Sequence, residues 1–273
     1  MLGKRVLTAA VLLAVLLPAI FVFPPLAWGV LTLGFLAAAA WEWTRLLPGA
    51  PSATGAALTL AAAGAAVLAF RFRFEWPAPV VPALCVALVL FWGLAAPRRL
   101  SRHEARSGGW PLAALLLFGC WLALYELRVL GAVPLLSAMA AIWVADIGAY
   151  FVGRAIGRRK LAPAISPGKS WEGAIGGCVA VVALGLAAAA VPSLADSLPA
   201  LLVARAGAAG AAVVLAGLAA LSIVGDLHES LLKREAGVKD SGRLLPGHGG
   251  VLDRIDALIP TMPAALLVYE LLR

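Results

Sequence analysis

The chain has 273 residues, of which 63% are hydrophobic and 13% are charged, and its formal net charge is +8 at pH 7. Soluble domains carry about 25% charged residues, so this composition excludes a soluble protein and indicates an integral membrane protein. The long runs rich in Ala and Leu also exclude an outer-membrane barrel, whose short strands alternate apolar and polar residues. The positive charge suits anionic lipids and nucleotide phosphates as partners, and nucleic acid is not expected as a partner.

Nine apolar runs are predicted as membrane helices, because each is close to the roughly 20 residues that a helix needs to cross a bilayer. They cover residues 6–23, 26–46, 53–70, 78–96, 110–128, 133–152, 172–191, 200–225 and 252–271. The first run is long for a signal peptide and lacks a convincing cleavage site, so we interpret it as a retained helix. The predicted fold is therefore all-α: a polytopic membrane helical bundle of about nine transmembrane helices, forming one membrane domain over residues 1–273.

The basic residues indicate the orientation of the bundle. With nine spans, three loops rich in Arg and Lys fall on the same face as Lys4 and Arg5, and Arg273 falls on the other. The positive-inside rule places the N-terminus and these loops in the cytoplasm. We predict N-terminal spans over residues 1–130 and a catalytic half over 131–273, with cytoplasmic loops at 153–171 and 226–251. The expected location is the cytoplasmic (inner) membrane, with the active site facing the cytoplasm.

Acidic residues inside or at the ends of the spans are the strongest functional signal. A charge at the bilayer centre costs about 2.5–3.5 kcal/mol, so such residues usually face a bundle interior or a wet cavity. Asp146 lies within a predicted span, Asp226 closes one, and Asp253 and Asp256 open the last. Glu172 opens a span too, where an acid in the first helical turn is favourable in any case.

The loop after Asp226 can bring these acids together. Asp226, Glu229 and Lys233 share one face if their helix continues past the membrane, and Asp253 and Asp256 share another. A loop that returns on itself would then join the two helix ends. Carboxylates beside Lys and Arg suggest Mg²⁺ with phosphate, because Mg²⁺ favours a few carboxylate oxygens together with substrate phosphates and water.

The same loop contains the sequence PGHGG at 246–250. Gly249 and Gly250 permit a close approach of backbone to ligand, and successive N–H groups there could form an anion nest ahead of a helix N-terminus. Upstream, Gly168-Lys169-Ser170 looks like the end of a P-loop. The Gly that such a loop needs five residues earlier is Pro163, and no strand is predicted ahead of it, so the P-loop reading fails.

The run from Ser230 to Asp256, SLLKREAGVKDSGRLLPGHGGVLDRID, resembles the signature of the phosphatidate cytidylyltransferase family. Two upstream pieces are also similar: Asp146 with Tyr150 and Gly153, and SPGKSWEG at 166–173. The family usually has Lys where Gly168 stands and often Thr where Ser170 stands. The resemblance implies a Mg²⁺-dependent enzyme that joins CTP and phosphatidic acid into CDP-diacylglycerol and pyrophosphate. It also implies a homodimer.

We assign roles on these combined grounds. The predicted catalytic residues are Asp226, Asp253, Lys233, Lys239 and His248. The predicted substrate-binding residues are Ser166, Lys169, Arg234, Asp240, Gly249, Gly250, Arg254 and Asp146. The predicted metal ligands are Asp226, Asp253 and Asp256, for one Mg²⁺ or for a pair of metal ions.

Other functions remain open at this point. A CTP-dependent polyprenol or phytol kinase would use the same nucleotide in a membrane. A transporter would explain the intramembrane charges, but not the dense loop of Lys, Asp, His and Gly. A CDP-alcohol phosphotransferase is disfavoured because its Asp-Gly-x-x-Ala-Arg motif is absent. The small residues Gly173, Gly176 and Gly177 permit close helix packing, either within one chain or between two.

Overall fold

The computed structural model describes the backbone of residues 2–272 and the side chains of residues 10, 11 and 13–272. Within this part of the chain there are eleven α-helices and one β-hairpin. The helices are α1 (Leu2–Phe21), α2 (Pro25–Leu46), α3 (Ala53–Arg73), α4 (Val80–Leu90), α5 (Ala96–Arg102), α6 (Gly109–Leu130), α7 (Ala132–Ile156), α8 (Trp171–Ala189), α9 (Leu198–Glu235), α10 (Leu252–Ile255) and α11 (Leu258–Leu272). The hairpin strands are β1 (Lys160–Ala162) and β2 (Ser166–Ser170). A π-helical turn at Phe91–Ala95 makes α4 and α5 continuous, and a 3-10 turn at Pro192–Leu194 precedes α9.

The predicted all-α polytopic membrane architecture is confirmed. Eight helical segments of the described chain are long and apolar enough to cross a membrane. Helix α1 occupies the first predicted run, but the side chains of residues 2–9 and 12 lie outside the described residues, and the count of nine stays a prediction. Lys4, Arg5 and Arg273 also lie outside the described side chains, so the orientation that uses them stays a prediction.

Local signals in the sequence explain where several helices begin. The Ser170 hydroxyl accepts a hydrogen bond from the N–H of Gly173 at 3.2 Å, and the Ser197 hydroxyl accepts one from Ala200 at 3.3 Å. These serines cap α8 and α9 by satisfying N–H groups that have no partner within the helix. Pro25 opens α2, at a position where the missing N–H of proline is harmless.

Helix α9 is longer than the predicted span at 200–225. A kink at Gly207, where φ is 70° and ψ is 173°, divides it near the start, and the longer part then continues unbroken to Glu235. Glycine tolerates this positive φ because it has no Cβ. The continuation places Asp226, Glu229 and Lys233 on one helical face, as the sequence analysis expected.

Helices α7 and α8 pack with their backbones almost in contact. A Cβ atom on Gly173 would lie 2.7 Å from the carbonyl oxygen of Ala149, and one on Gly177 would lie 2.5 Å from that of Ala145. Both distances are shorter than van der Waals contact, so only glycine fits. The choice that the sequence left open is thus answered for these glycines: they pack within the chain.

Three charged loops meet at one end of the bundle, which we call the charged end. The Glu235 carboxylate at the close of α9 accepts hydrogen bonds from the backbone N–H groups of Ala105 and Arg106, at 2.7 and 3.0 Å. Beside it, the Arg234 Nε donates to the carbonyl of Ile165 at 3.4 Å. The loops after α5, α7 and α9 therefore lie on the same face of the bundle, as the predicted number and order of the spans implied.

The other face of the bundle is the opposite end. There the Arg71 guanidinium donates to the Glu126 carboxylate, Nε to Oε1 at 2.9 Å and Nη2 to Oε2 at 3.2 Å. The Trp76 indole N–H donates to the same carboxylate at 2.7 Å. The Leu198 N–H donates to the Ser137 hydroxyl at 2.9 Å, which joins α9 to α7.

The β-hairpin of the charged end was not predicted. Its strands are antiparallel and pair Lys160 with Ser170, so a strand does precede Lys169, contrary to the sequence expectation. The strands are short and Pro163 stands between them, and the rejection of a P-loop therefore still holds. Glu172 accepts hydrogen bonds from the N–H groups of Arg158 and Arg159, and this acid closes the base of the hairpin.

Candidate active site

A cavity of about 560 Å³ opens at the charged end between α7, α8, α9, the hairpin and the start of α10. Four carboxylates and two cationic side chains are among its lining groups. They are Asp146, Asp226, Asp253, Asp256, Arg154 and Lys169. Ser166 also lines it. The structure therefore brings together in one cavity six of the residues that the sequence analysis assigned to substrate or metal: Asp146, Ser166, Lys169, Asp226, Asp253 and Asp256.

Lys169 and Asp226 form an ion pair across this cavity. Strand β2 carries Lys169, and α9 carries Asp226 in its part toward the charged end. The second carboxylate oxygen of Asp226, Oδ1, accepts a hydrogen bond from the Ser230 hydroxyl at 3.2 Å. Both partners are partly exposed, with 25% of the Lys169 side chain and 34% of the Asp226 side chain accessible. An ion pair this open can exchange its partners for a ligand.

Lys233 lies two turns further along α9 and joins that helix to α10. Its Nζ donates to Asp253 Oδ1 at 2.7 Å and forms an ion pair with Glu229, one turn earlier on the same helix. Glu229 is buried, with 3% of its side chain exposed. Lys233 therefore offsets two acids beside the cavity, although it is not itself one of the described residues that line it.

Asp253 organises the loop that leads into α10. Its Oδ2 accepts hydrogen bonds from the Ser241 N–H at 3.0 Å, the Ser241 hydroxyl at 3.0 Å and the Gly250 N–H at 2.9 Å. These contacts fold the loop back upon itself, so that Asp226 and Asp253 reach the same cavity. The juxtaposition expected from the sequence is present, and Asp253 additionally holds the loop in shape.

The PGHGG turn has a different arrangement from the predicted anion nest. Gly247 and Gly249 adopt positive φ values of 78° and 85°. The Leu245 N–H donates to the Gly249 carbonyl at 2.9 Å, which closes the turn. Because the Gly250 N–H donates to Asp253, this amide is not available to a phosphate in the present arrangement.

Several predicted residues lie at the charged end but outside the cavity lining. The Arg254 guanidinium is held by the His248 carbonyl, which accepts from Nε at 3.0 Å and from Nη2 at 2.7 Å. Arg254 faces a separate, mainly apolar pocket between α2, α6 and α10. Lys239 and Asp240 are exposed on the loop surface. Among the described residues, the cavity lining thus includes none of these four.

A divalent cation fits the donor set at the cavity. In the described chain, no group of three or more His, Cys, Asp or Glu side chains is arranged to hold a metal ion alone. Mg²⁺, however, usually takes one or two protein carboxylates and completes its shell with phosphate and water. Asp146, Asp226 and Asp256 face one partly enclosed space, where their like charges repel unless a cation offsets them. A metal ion at Asp253 would share that carboxylate with the loop.

Glu42 is the main residue of this region that sequence reasoning missed. It lies in α2, in the half of the chain to which no chemistry was assigned, and none of its surface is exposed. Its Oε2 accepts a hydrogen bond from the Leu252 N–H at 2.8 Å and lies within hydrogen-bond distance of the Ser241 hydroxyl, at 3.1 Å. The signal was present, because Glu42 is an acid inside a predicted span, which is the argument that identified Asp146.

The fold and the cavity define a class: a polytopic helical membrane protein with an acidic and basic cavity at one end of its bundle. The family model described as the cytidylyltransferase family matches residues 3–272 of the chain. The chain belongs to this family, as the resemblance of its signature implied.

Curated relatives support the same family. The chain is 40% identical over 277 residues to a phosphatidate cytidylyltransferase of Pseudomonas aeruginosa, covering 98% of this chain and 97% of that protein. It is 37% identical over 295 residues to a phosphatidate cytidylyltransferase of Haemophilus influenzae, covering 96% of each. A phosphatidate cytidylyltransferase of Bacillus subtilis is 41% identical over 155 residues, covering 56% of this chain and 54% of that protein.

Proposed function

We propose that this protein transfers the cytidylyl group of CTP to phosphatidate, forming CDP-diacylglycerol and releasing pyrophosphate in phospholipid biosynthesis. The observation that carries the proposal is the single cavity that gathers Lys169, Asp226, Asp253 and Asp256 at one end of the membrane bundle. The near full-length similarity to phosphatidate cytidylyltransferases supports the identity of both substrates.

The proposed reaction is an in-line phosphoryl substitution. A phosphate oxygen of phosphatidate forms a bond to the α-phosphorus of CTP, and the bond from that phosphorus to the bridging oxygen breaks, so that pyrophosphate leaves. The nucleophile is already anionic, and no strong general base is needed. The protein has instead to bring two anions together and to stabilise charge on the leaving group.

Residues of the cavity wall suit this task. Lys169 and Arg154 supply positive charge to phosphate oxygens, and Ser166 supplies a hydroxyl. Lys233 holds Asp253 in place from outside the lining. We propose that Asp226, Asp253 and Asp256 hold Mg²⁺, which would neutralise phosphate charge when bound.

An apolar space beside the same helices would suit the acyl chains of phosphatidate. A second cavity of about 400 Å³ lies between the same helices α7, α8 and α9, further from the charged end. Val144, Val181 and Leu215 are among its lining residues. A phosphate in the acidic and basic cavity would leave acyl chains free to enter this apolar space from the bilayer.

The proposal also includes the cytoplasmic membrane as location, a charged end that faces the cytoplasm, and a homodimer.

The test is an assay of the detergent-purified chain with phosphatidate vesicles and CTP labelled at either the α- or the γ-phosphorus. Cytidylyl transfer moves the α-label into organic-soluble lipid and leaves the γ-label in pyrophosphate. Transfer of the γ-label to lipid would identify a kinase instead, and no transfer of either label would refute the activity. Excess EDTA should abolish turnover and added Mg²⁺ should restore it; undiminished turnover in EDTA would refute the metal.

A further inference from the structure

Glu42 makes a contact between the two halves of the chain that nothing in the proposed reaction explains. It is a fully buried acid on α2, and its partners lie about 200 residues later, in the loop that precedes α10. Burying a carboxylate costs free energy unless its oxygens find donors. The donors that contact the buried Glu42 carboxylate therefore indicate the role of this residue.

The Oε2 atom of Glu42 joins two parts of the loop. It accepts from the N–H of Leu252, the first residue of α10, which has no partner inside its own helix. It also lies 3.1 Å from the Ser241 hydroxyl, and that hydroxyl lies 3.0 Å from Asp253 Oδ2. Glu42 and Asp253 thus hold Ser241 from two sides, so the position of Glu42 is transmitted to Asp253 through one side chain.

The glycines of the loop are shaped around this carboxylate. A Cβ on Gly242 would lie 2.1 Å from Glu42 Oε1, and one on Gly250 would lie 2.5 Å from Oε2 and 2.6 Å from Oε1. Neither glycine has a positive φ, so their backbone conformation does not require glycine. The close approach of the Glu42 carboxylate excludes larger residues at Gly242, and the Ser241 hydroxyl, 2.2 Å from a Cβ, excludes them together with that carboxylate at Gly250.

The remaining oxygen of Glu42 is a second sign that the residue is not placed for stability alone. Oε1 is buried and has no hydrogen-bond partner among the described residues. An unsatisfied buried acceptor costs about 1–3 kcal/mol. A side chain that only filled space in α2 would avoid this cost by being apolar.

We propose that Glu42 is a positioning residue for the loop 239–253: it fixes Ser241 and the start of α10, and thereby aims Asp253 at the cavity. The role in catalysis rests on the proposed function, whereas the role in ordering the loop does not. Glu42 itself touches no substrate in this proposal.

Two substitutions at position 42 separate hydrogen bonding from bulk. Glu42→Gln keeps a carbonyl oxygen that can accept from Leu252 and Ser241, whereas Glu42→Ala removes it. We expect Glu42→Ala to lower kcat by roughly 100-fold, the effect of a small misplacement of a catalytic group, with KM for CTP changed less than about threefold. Glu42→Gln should keep kcat within roughly fivefold of the unchanged protein, since the acceptor that positions the loop is retained.

Hydrogen–deuterium exchange of the substrate-free protein gives a readout that needs no activity. Amides of the 239–253 peptide should exchange faster in Glu42→Ala and at the unchanged rate in Glu42→Gln, while peptides of α2 keep their protection. If the cytidylyl transfer assay fails but this exchange pattern holds, only the proposed function is refuted. Unchanged loop exchange together with a near-normal kcat in Glu42→Ala would overturn the inference, as would a Glu42→Gln as defective as Glu42→Ala.

Gly242→Ala leaves Glu42 in place and keeps the inference testable if Glu42→Ala folds poorly, since a near-normal kcat of this single variant would overturn it. Gly242→Ala places a methyl group on Glu42 Oε1 and should lower kcat by about 100-fold in the unchanged background. Combined with Glu42→Ala it should add less than about twofold, because the two changes act on one contact. Gly217→Ala is the matched control, since a Cβ there meets nothing within 4 Å. Independent, additive effects of Gly242→Ala and Glu42→Ala would overturn the proposed contact.

Discussion

Charged side chains are buried at both ends of the bundle, but they are paired less completely and are more exposed at one end than at the other. At the opposite end, Glu126 is matched by one guanidinium and one indole N–H, and both of its oxygens have donors. At the charged end, the cavity collects more carboxylates than cations, and the Lys169–Asp226 pair is more exposed than the Arg71–Glu126 pair. A buried carboxylate whose oxygens all have donors stabilises the fold. A solvent-accessible cavity with more carboxylates than cations is instead suited to a ligand that binds together with its own cation.

The largest expected effect tests whether the two ends lie on opposite sides of the membrane. Single cysteines in place of Arg159 and Lys239, both exposed at the charged end, should react with a membrane-impermeant maleimide from the cytoplasmic side only. A cysteine in place of Ser193, near the start of α9, should react from outside only. Labelling of positions 159 and 239 from different sides would show that the loops of the charged end do not lie on one side of the membrane.

Removing an acid should affect catalysis at the charged end alone. Asp226→Asn keeps the size of the side chain and removes its charge, so we expect turnover to fall at least about 10³-fold, or about 4 kcal/mol of barrier. Asp253→Asn should cost as much, and the double variant little more, because residues that act as a unit are non-additive. Glu126→Gln is the matched control and should keep turnover within about twofold. Near-normal turnover of Asp226→Asn at saturating Mg²⁺ and both substrates would remove Asp226 from the metal site.

Lys169→Ala should have a smaller effect, and mainly on binding. If its contact with CTP phosphate is equally strong in the ground state and the transition state, KM for CTP rises and kcat changes less. We expect KM to rise about tenfold, which corresponds to about 1.4 kcal/mol. Initial rates measured over a range of CTP concentrations give both constants. A loss confined to kcat would instead assign Lys169 to the transition state.

The smallest effect on catalysis is expected at the opposite end. Arg71→Ala leaves the Glu126 carboxylate with Trp76 as its remaining described side-chain donor. An under-satisfied buried group costs about 1–3 kcal/mol, so the midpoint of unfolding in detergent should shift to lower denaturant. Turnover per folded molecule should stay unchanged. A large loss of turnover with an unchanged unfolding midpoint would contradict the structural role of this pair.

The sequence predicted the helices well because their signal is local. Each apolar run is visible without knowledge of its neighbours, and Pro25, Ser170 and Ser197 mark helix starts by their own chemistry. The face shared by Asp226, Glu229 and Lys233 likewise followed from helical spacing alone, once the helix was assumed to continue. The hairpin was missed because strands of three and five residues carry too few side chains to show a period of two.

The hydrogen bonds that fix the loop before α10 could not be predicted from residue spacing, whether their partners are near in the chain or distant. The Gly250 amide seemed free for phosphate, and no pattern in PGHGG reveals that Asp253 takes it. Arg254 seemed to face the substrate, whereas the carbonyl of His248 holds it toward another pocket. Glu42 was overlooked because the signature concentrates attention on the last fifty residues, and spacing says nothing about a partner on α2.

The glycine contact between α7 and α8 decides which walls of the cavity can move. Because the two backbones are almost in contact at Gly173 and Gly177, we expect α7 and α8 to move as one unit, which keeps Asp146 on α7 at a constant position relative to Ser170 at the start of α8. These two helices would then form the fixed wall of the cavity. A bulky nucleotide must then be admitted by the other side, where the loop before α10 is held by hydrogen bonds that can break and reform. Movement of that loop would then control the entry and release of ligands. Substitutions in the loop could therefore change the rate of turnover without disturbing the packing of the helices.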